Sequence, residues 1–321
     1  MSKKYDVIAL GELLIDFTDS GKSDQGNPVF EANPGGAPCN VLAMLKKLGR
    51  EVAFVGKVGD DIFGTQLRST VEDCGICTDY LITDKEANTT LAFVKTFEGG
   101  DREFSFYRNP GADMMLKEDE IGDYIGDTKV FHFGTLSMTH EGVRAATKKA
   151  LKIAKENGAI ISFDPNLRPP LWKSLDEAKE QISYGLGICD VLKIADNEIR
   201  FMTGEEDLVL AAKKLIETYP TIKLVTVTAG ADGSYAYCNG LSAYVDSVKL
   251  GGTIETTGAG DTFCACLINA VLDGVLEDTT EEKLADMLKF ANTAAYIVTT
   301  KKGAIRSMPD REDIVKILED K

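Results

Sequence analysis

Val130-Phe131-His132-Phe133 reads as a short strand, His140–Asn157 as a helix, and Ala159-Ile160-Ile161-Ser162-Phe163 as a second strand. A helix from Leu175 to Leu186 and the strand Val191–Ile194 continue the rhythm. Short apolar runs that alternate with helices imply a largely parallel sheet, because parallel neighbours need a crossover and the crossover helices cover both faces. Outward from this stretch, Tyr5–Leu10 and Val52–Val58 extend the strand set upstream and Leu224–Thr228 extends it downstream. Two further β runs, Ser234–Cys238 and Ala243–Val248, follow, and Leu288–Thr299 reads as a buried helix. With no Pro/Ser-rich linker, repeat or low-complexity run, residues 1–321 are expected to form a single α/β domain.

One region breaks the rhythm. Thr90–Phe97 and Arg102–Arg108 are β-rich runs joined by Glu98-Gly99-Gly100-Asp101, a hairpin signal with no crossover helix. Together with Phe17–Phe30 they predict a small β lid, inserted at about residues 13–33 and 88–110. Phe93, Phe97, Phe104 and Phe106 exceed what a free ribbon can bury, so the lid is expected to dock on the main domain or to pair with a second copy as a homodimer.

Composition narrows the function. Apolar residues at 44% and charged residues at 27% suit a globular enzyme-sized core, and a net charge of −15 argues against nucleic acid and anionic membranes as partners. No apolar run reaches membrane-spanning length and no signal sequence is apparent, so a cytoplasmic location is expected. Seven scattered cysteines do not form a disulfide framework, and Cys74-Gly75-Ile76-Cys77 falls at a helix end, as reduced structural thiols do. With only His132 and His140 in the chain, a His-rich metal site is excluded.

The chemistry concentrates in loops. Glu255-Thr256-Thr257-Gly258-Ala259-Gly260-Asp261 opens straight into the small, apolar run Thr262–Ala270. First-turn N–H groups lack intrahelical partners and the helix dipole is positive there, so Gly258, Ala259 and Gly260 suit a phosphate cradle. Asp261 is costly beside phosphate unless it accepts a proton from the attacking hydroxyl; its structural reading is a helix N-cap. A second Gly-rich loop, Asn33-Pro34-Gly35-Gly36-Ala37-Pro38, precedes a helix carrying Asn40 in its first turn, which suggests a bipartite site for an anion and a neutral polyol. Asp16, soon after the first strand, lies where open α/β sheets bind ligands, and Arg168 follows a strand as a fork of donors for phosphate or carboxylate.

Gly35-Gly36-Ala37-Pro38-Cys39-Asn40 and Thr256-Thr257-Gly258-Ala259-Gly260-Asp261, in this order and separation, resemble the two signatures of the ribokinase-like PfkB carbohydrate kinases. The likeness covers nearly the whole chain. It implies a three-layer α/β/α domain with a mostly parallel central sheet and the small inserted lid. Phe106-Tyr107-Arg108-Asn109-Pro110-Gly111-Ala112-Asp113 and Asp164–Trp172 are similar to stretches of fructokinases. The 2-keto-3-deoxygluconate kinases share much of both, often with Tyr-Tyr-Arg where this chain has Phe106-Tyr107-Arg108. The resemblance implies ATP-dependent phosphorylation of fructose at its primary hydroxyl, with Asp261 as base and the Gly258–Gly260 backbone as anion hole. It further implies that Asp16, Gly35, Gly36, Asn40, Phe106 and Arg108 meet the sugar and that Arg168 neutralises phosphate charge. Thr228, Gly230, Gly233, Asn292 and Gly303 would surround the nucleotide. Mg²⁺ is implied on the nucleotide, with Glu198 acting on it indirectly, although the family's N-x-x-E reads Ala195-Asp196-Asn197-Glu198 here. Glu255 replaces the Asp that is a ligand in relatives activated by a monovalent cation, which leaves potassium open.

Overall fold

The computed structural model describes residues 3–96 and 102–320. Its first half contains β1 (Tyr5–Leu10), β2 (Leu14–Lys22), β3 (Pro28–Gly35), α1 (Ala37–Lys47), β4 (Val52–Gly59), α2 (Ile62–Asp73), β5 (Cys77–Asp84), β6 (Leu91–Thr96) and β7 (Arg102–Tyr107). The second half runs β8 (Thr128–Gly134), α3 (Glu141–Glu156), β9 (Ile160–Asp164), α4 (Leu175–Ile188), β10 (Val191–Ala195), α5 (Asp196–Thr203) and α6 (Leu208–Thr218). It closes with β11 (Leu224–Thr228), β12 (Ser234–Cys238), β13 (Leu241–Val245), α7 (Ala259–Leu272), α8 (Glu281–Thr299) and α9 (Arg311–Glu319).

The main sheet has the order β13-β12-β11-β10-β9-β8-β1-β4-β5. Its neighbours are parallel except at β11–β12 and β12–β13. Strand pleat divides the core: Val7 and Ala9 face one apolar cluster with α1, α2, α7 and α8, while Ile8 and Leu10 face another with α3 to α6. That is a three-layer α/β/α sandwich. From β1 the chain builds outward to β5, then returns to β8 on the other side of β1. Such a reversal leaves a crevice at the carboxyl ends of the strands, where the loops after the strands can converge.

A second sheet, in the order β3-β2-β6-β7, stands apart from the first. The hairpin lacks a crossover of its own, yet β6 pairs with β2 in parallel, because α1, β4, α2 and β5 together provide the long connection. Asp16 therefore lies past the end of β1 and also within the lid, paired with Asn33 across β2–β3. Register sorts the faces: Phe17 is opposite Phe93 and Asp16 opposite Ala92, while Ala92 is opposite Phe106. Asp16 and Phe106 thus share one face. Phe17 and Phe93 share the other, their rings stacked at 4.8 Å, with Phe30 and Tyr107 edge-on to Phe93. Phe17 also meets Phe63 of α2 edge-on, at 5.6 Å, which docks the lid on the main domain. Phe97 and the turn Glu98–Asp101 lie outside the described residues.

Several boundaries differ from expectation for local reasons. β13 begins at Leu241, not Ala243, because Asn239 and Gly240 both have positive φ (51° and 79°) and close a tight two-residue hairpin. The helix expected from Leu288 starts at Glu281, capped by Thr280. Helices α6 and α9, which the sequence reading leaves unassigned, pack on β11 and on α8 respectively. Cys74 and Cys77 are free thiols, as are the other five cysteines.

Asp61 ties these parts together. Its Oδ1 accepts from Gly64 N at 2.7 Å as the N-cap of α2, and its Oδ2 accepts from Thr89 N at 2.8 Å, just before β6. Burial works against the charged form, but these hydrogen bonds outweigh it and hold the carboxyl below its usual range. The contribution is therefore full at neutral pH and is lost as pH falls through the depressed value. Asp61→Ala should cost about 1–2 kcal/mol in urea unfolding at pH 7, and the difference from the parent should shrink in acid.

Candidate active site

The crevice holds a cavity of about 330 Å³ at the carboxyl ends of β1, β9 and β10, floored by α1 and α7 and roofed by the lid. Glu12, Asp16, Asn40, Phe106, Arg168, Lys193 and Asp261 all line it. A neighbouring groove of about 560 Å³ runs along Gly230, Ser247, Gly251, Ala259, Asn292 and Tyr296. Thr256 belongs to both, and the first turn of α7 separates them: Gly258, Gly260 and Asp261 face the first cavity, Ala259 the groove.

Gly258 is the N-cap of α7, in the left-handed region at φ 81°, so Asp261 is not the cap; it sits in the first turn. Its Oδ2 accepts from Asn40 Nδ2 at 2.7 Å. Because a carboxylate only accepts, this bond fixes the Asn40 amide, and Asn40 Oδ1 is left buried without a partner. Burial pushes the Asp261 carboxyl up, while Asn40, Lys193 and Arg168 pull it down.

The loops are held from behind. Gly36 has φ 127°, and a Cβ there would strike the Glu12 carbonyl; one at Gly35 would strike Asp16 Oδ2. The Glu12 carboxylate accepts from Ala37 N at 2.8 Å, and burial raises its pKa to about 7. At the end of β9, Asp164 pairs with Lys193 at 3.0 Å, and beyond it Asn166 adopts φ 45° at the cavity wall. Glu198 accepts from Leu167 N at 2.7 Å and from Ala195 N at 2.9 Å, so it fixes the loop that carries Arg168.

Not every expected residue reaches the cavity. Arg108 is turned away, with Nε donating to Asp113 Oδ2 at 2.8 Å, Nη1 to Thr139 Oγ1 at 2.8 Å and Nη2 to the Leu136 carbonyl at 3.0 Å. This corrects the expectation of a sugar contact: a buried arginine with a carboxylate in reach satisfies its donors there first. Arg108 shapes the cavity through Leu136, which lines it. Thr228 ends β11 and Gly233 follows it at φ 104°, close against Val245, without lining the groove. Asn292 lines the groove, but its amide also ties α8 to the β12–β13 edge, donating to the Val245 carbonyl at 3.2 Å and accepting from Ser234 Oγ at 3.0 Å. Gly303 N donates to Glu255 Oε2 at 3.3 Å, and Glu255 Oε1 bonds Thr257 Oγ1, so Glu255 straps the two loops together. Glu12, Asn166 and Lys193 line the cavity without having been singled out. Lys193 had a signal, a lone charge inside a buried strand.

The chain matches the model described as pfkB family carbohydrate kinase over residues 4–311. It belongs to that family. A probable fructokinase-2 of Arabidopsis thaliana is 42% identical over 308 residues, covering 94% of this chain and 92% of the relative. The crystal structure of a Xylella fastidiosa fructokinase with bound ATP superposes with a TM-score of 0.88 at 28% identity, covering 98% and 99% of the two chains. A Vibrio cholerae fructokinase solved with fructose, ADP and calcium gives 0.87 at 29% identity, again covering 98% and 99%. Within this family, the steric role of Gly36 is open to test. Gly36→Ala should cost about 1–3 kcal/mol from backbone strain and more from the clash with Glu12. Gly49→Ala, at φ 82° with open space around it, should show the strain alone. Urea unfolding of both variants separates the two contributions.

Proposed function

We propose that this carbohydrate kinase is an ATP-dependent fructokinase, which phosphorylates the primary hydroxyl of fructose to give fructose 6-phosphate. The observation that carries the reading is the meeting of two cavities across the first turn of α7, with Asp261 on one side and an open groove on the other. A sugar in the first cavity would present a hydroxyl to Asp261, while the terminal phosphate of a nucleotide in the groove would reach the N–H groups of Gly258 and Gly260, and that of Ala259 once it leaves the Thr256 carbonyl, 3.3 Å away. Asp261 takes the hydroxyl proton as the oxygen attacks phosphorus; the bond to the leaving diphosphate breaks, and Arg168 offsets the charge carried by the phosphoryl oxygens. Asn40 Oδ1 supplies a buried acceptor for a second sugar hydroxyl. Asp16, Gly36 and Phe106 complete the sugar's surroundings from the lid and α1.

A divalent ion, Mg²⁺ by preference, belongs with the nucleotide. Glu198 is committed to two backbone N–H groups and Asp164 to Lys193, and no group of three or more metal-ligating side chains occurs among the described residues. These residues provide no cage, as suits an ion carried by phosphate oxygens and water. Glu255 already links the loops through its own carboxylate, which weighs against a need for potassium. The keto-acid alternative is not favoured: the relatives reported above are fructokinases, and Arg108 is engaged by Asp113. Free cysteines fit a reducing, cytoplasmic setting, and no helix among the described residues is long and apolar enough to cross a membrane.

ADP release with ATP and Mg²⁺ should strongly prefer fructose over 2-keto-3-deoxygluconate, ribose, glucose and adenosine; a preference for the keto acid would reassign the substrate. Asp261→Asn should lower kcat by about 10²–10⁴-fold with little change in the KM for fructose. Turnover that survives this change would remove Asp261 as the base. The outer lid face, with Phe30 and Tyr107 at 41% and 65% exposure, supports pairing of two copies. Light scattering should give a dimer mass for the parent and a monomer mass for Phe30→Glu; a monomeric parent would end that reading.

A further inference from the structure

Lys193 is the least expected member of the cavity wall. It stands in β10 among Val191, Leu192 and Ile194, and only 6% of it is exposed, yet its side chain lines the cavity. One contact and one close approach place its ammonium. Nζ lies 3.0 Å from Asp164 Oδ2 at the end of β9, and a Cβ built on Gly260 would lie 3.1 Å from the same nitrogen. The charge therefore sits against the first turn of α7, beside the residue that precedes Asp261. A lysine is seldom buried this deeply unless it is paired, and an ion pair built only for stability has no need to open onto a ligand cavity.

The charges around Asp261 come from every neighbouring element. Asp164 ends β9 and faces Lys193 together with Glu198 of α5, Glu12 follows β1 and Asp16 of β2 lines the same cavity, and Lys193 and Arg168 are the cations that act on Asp261. His132 of β8 is kept neutral by burial, its pKa lowered to about 3, and the Cys264 thiol is pushed well up, so neither adds a charge. Carboxylates outnumber cations here. We infer that Lys193 is a positioning residue for phosphoryl transfer: pinned by Asp164 beneath α7, its ammonium is the fixed positive charge that lets Asp261 remain an anion and accept the sugar's proton. Arg168, on a loop at the cavity wall, adds charge from the open side; Lys193 supplies it from within the sheet. The Asp261 pKa fits this arrangement, being raised by burial and pulled down by Asn40, Lys193 and Arg168.

The inference rests on Asp261 being the base, and the signs give its test. A base works in its ionised form, so the acid limb of kcat/KM for fructose tracks the Asp261 carboxyl. Lys193→Gln should move that limb to higher pH by about one unit or more, leave the KM for ATP within a few-fold, and recover rate as pH rises. Lys193→Arg should restore the limb. Asp164→Asn, which removes a like charge from Asp261 and a partner from Lys193, should move the limb the other way; it also serves if Lys193→Gln does not fold. A limb unmoved in a folded Lys193→Gln, or unmoved or raised in Asp164→Asn, overturns the inference. If Asp261→Asn is inactive while these limbs stay fixed, only the role of Lys193 falls; if Asp261→Asn remains active, the base itself falls.

Discussion

The hydrogen bond from Asn40 to Asp261 joins residues 221 positions apart, and the site is organised about it. It exists because α1 and α7 lie side by side on the same face of the sheet with their N-termini level. Small residues suit this arrangement: Cys264, Ala265 and Cys266 of α7 belong to the same buried apolar cluster as Cys39, Val41 and Leu42 of α1. Both helices begin at glycine-rich turns that meet at one crevice, and at the start of α1 the Ala37 N–H is already taken by Glu12. The Asn40 amide then holds a carboxylate that burial alone would drive toward the neutral acid.

Much of the architecture was legible because parallel strands buried on both faces read as short apolar runs, and their crossover helices as longer periodic ones. The two glycine loops were legible for a different reason, since few other sequences permit a φ of 127° beside a carbonyl or a helix opened at φ 81°. Side-chain commitments were not. Arg108 and Lys193 are both cations near polar loops, and nothing in the linear order says that Asp113 claims one while Asp164 holds the other at the cavity. Those outcomes depend on which carboxylate the folded sheet brings within a few ångströms. Asp16 falls within the expected bounds of the lid, but the face it shares with Phe106 follows from the pairing of both with Ala92.

The groove beside α7 is framed by ties between loops. Ile254 N and Glu255 N both donate to the Thr299 carbonyl, at 2.8 and 3.1 Å, and the Glu255 carboxylate bonds Thr257 and Gly303. The stretch entering α7 is thus fastened to the end of α8. Asn292 does the same for the β12–β13 edge. These crossings fix the turn that opens α7, which would suit the proposed transfer, a reaction whose demands are mostly of position and charge.

The division of labour between the two sheets has an evolutionary reading. Asp16 and Phe106 reach the cavity from the small sheet, whereas Asp261, Lys193, Arg168 and the α7 turn belong to the large one. The lid's strands come from two separate stretches that leave and rejoin the main sheet near its crevice. Under the proposed reading, part of the sugar's surroundings comes from the lid, while the groups assigned to phosphoryl transfer all lie outside it. Drift or recombination in the lid can present a new sugar to an unchanged transfer apparatus, so one scaffold can diversify across a pathway's substrates without rebuilding its chemistry.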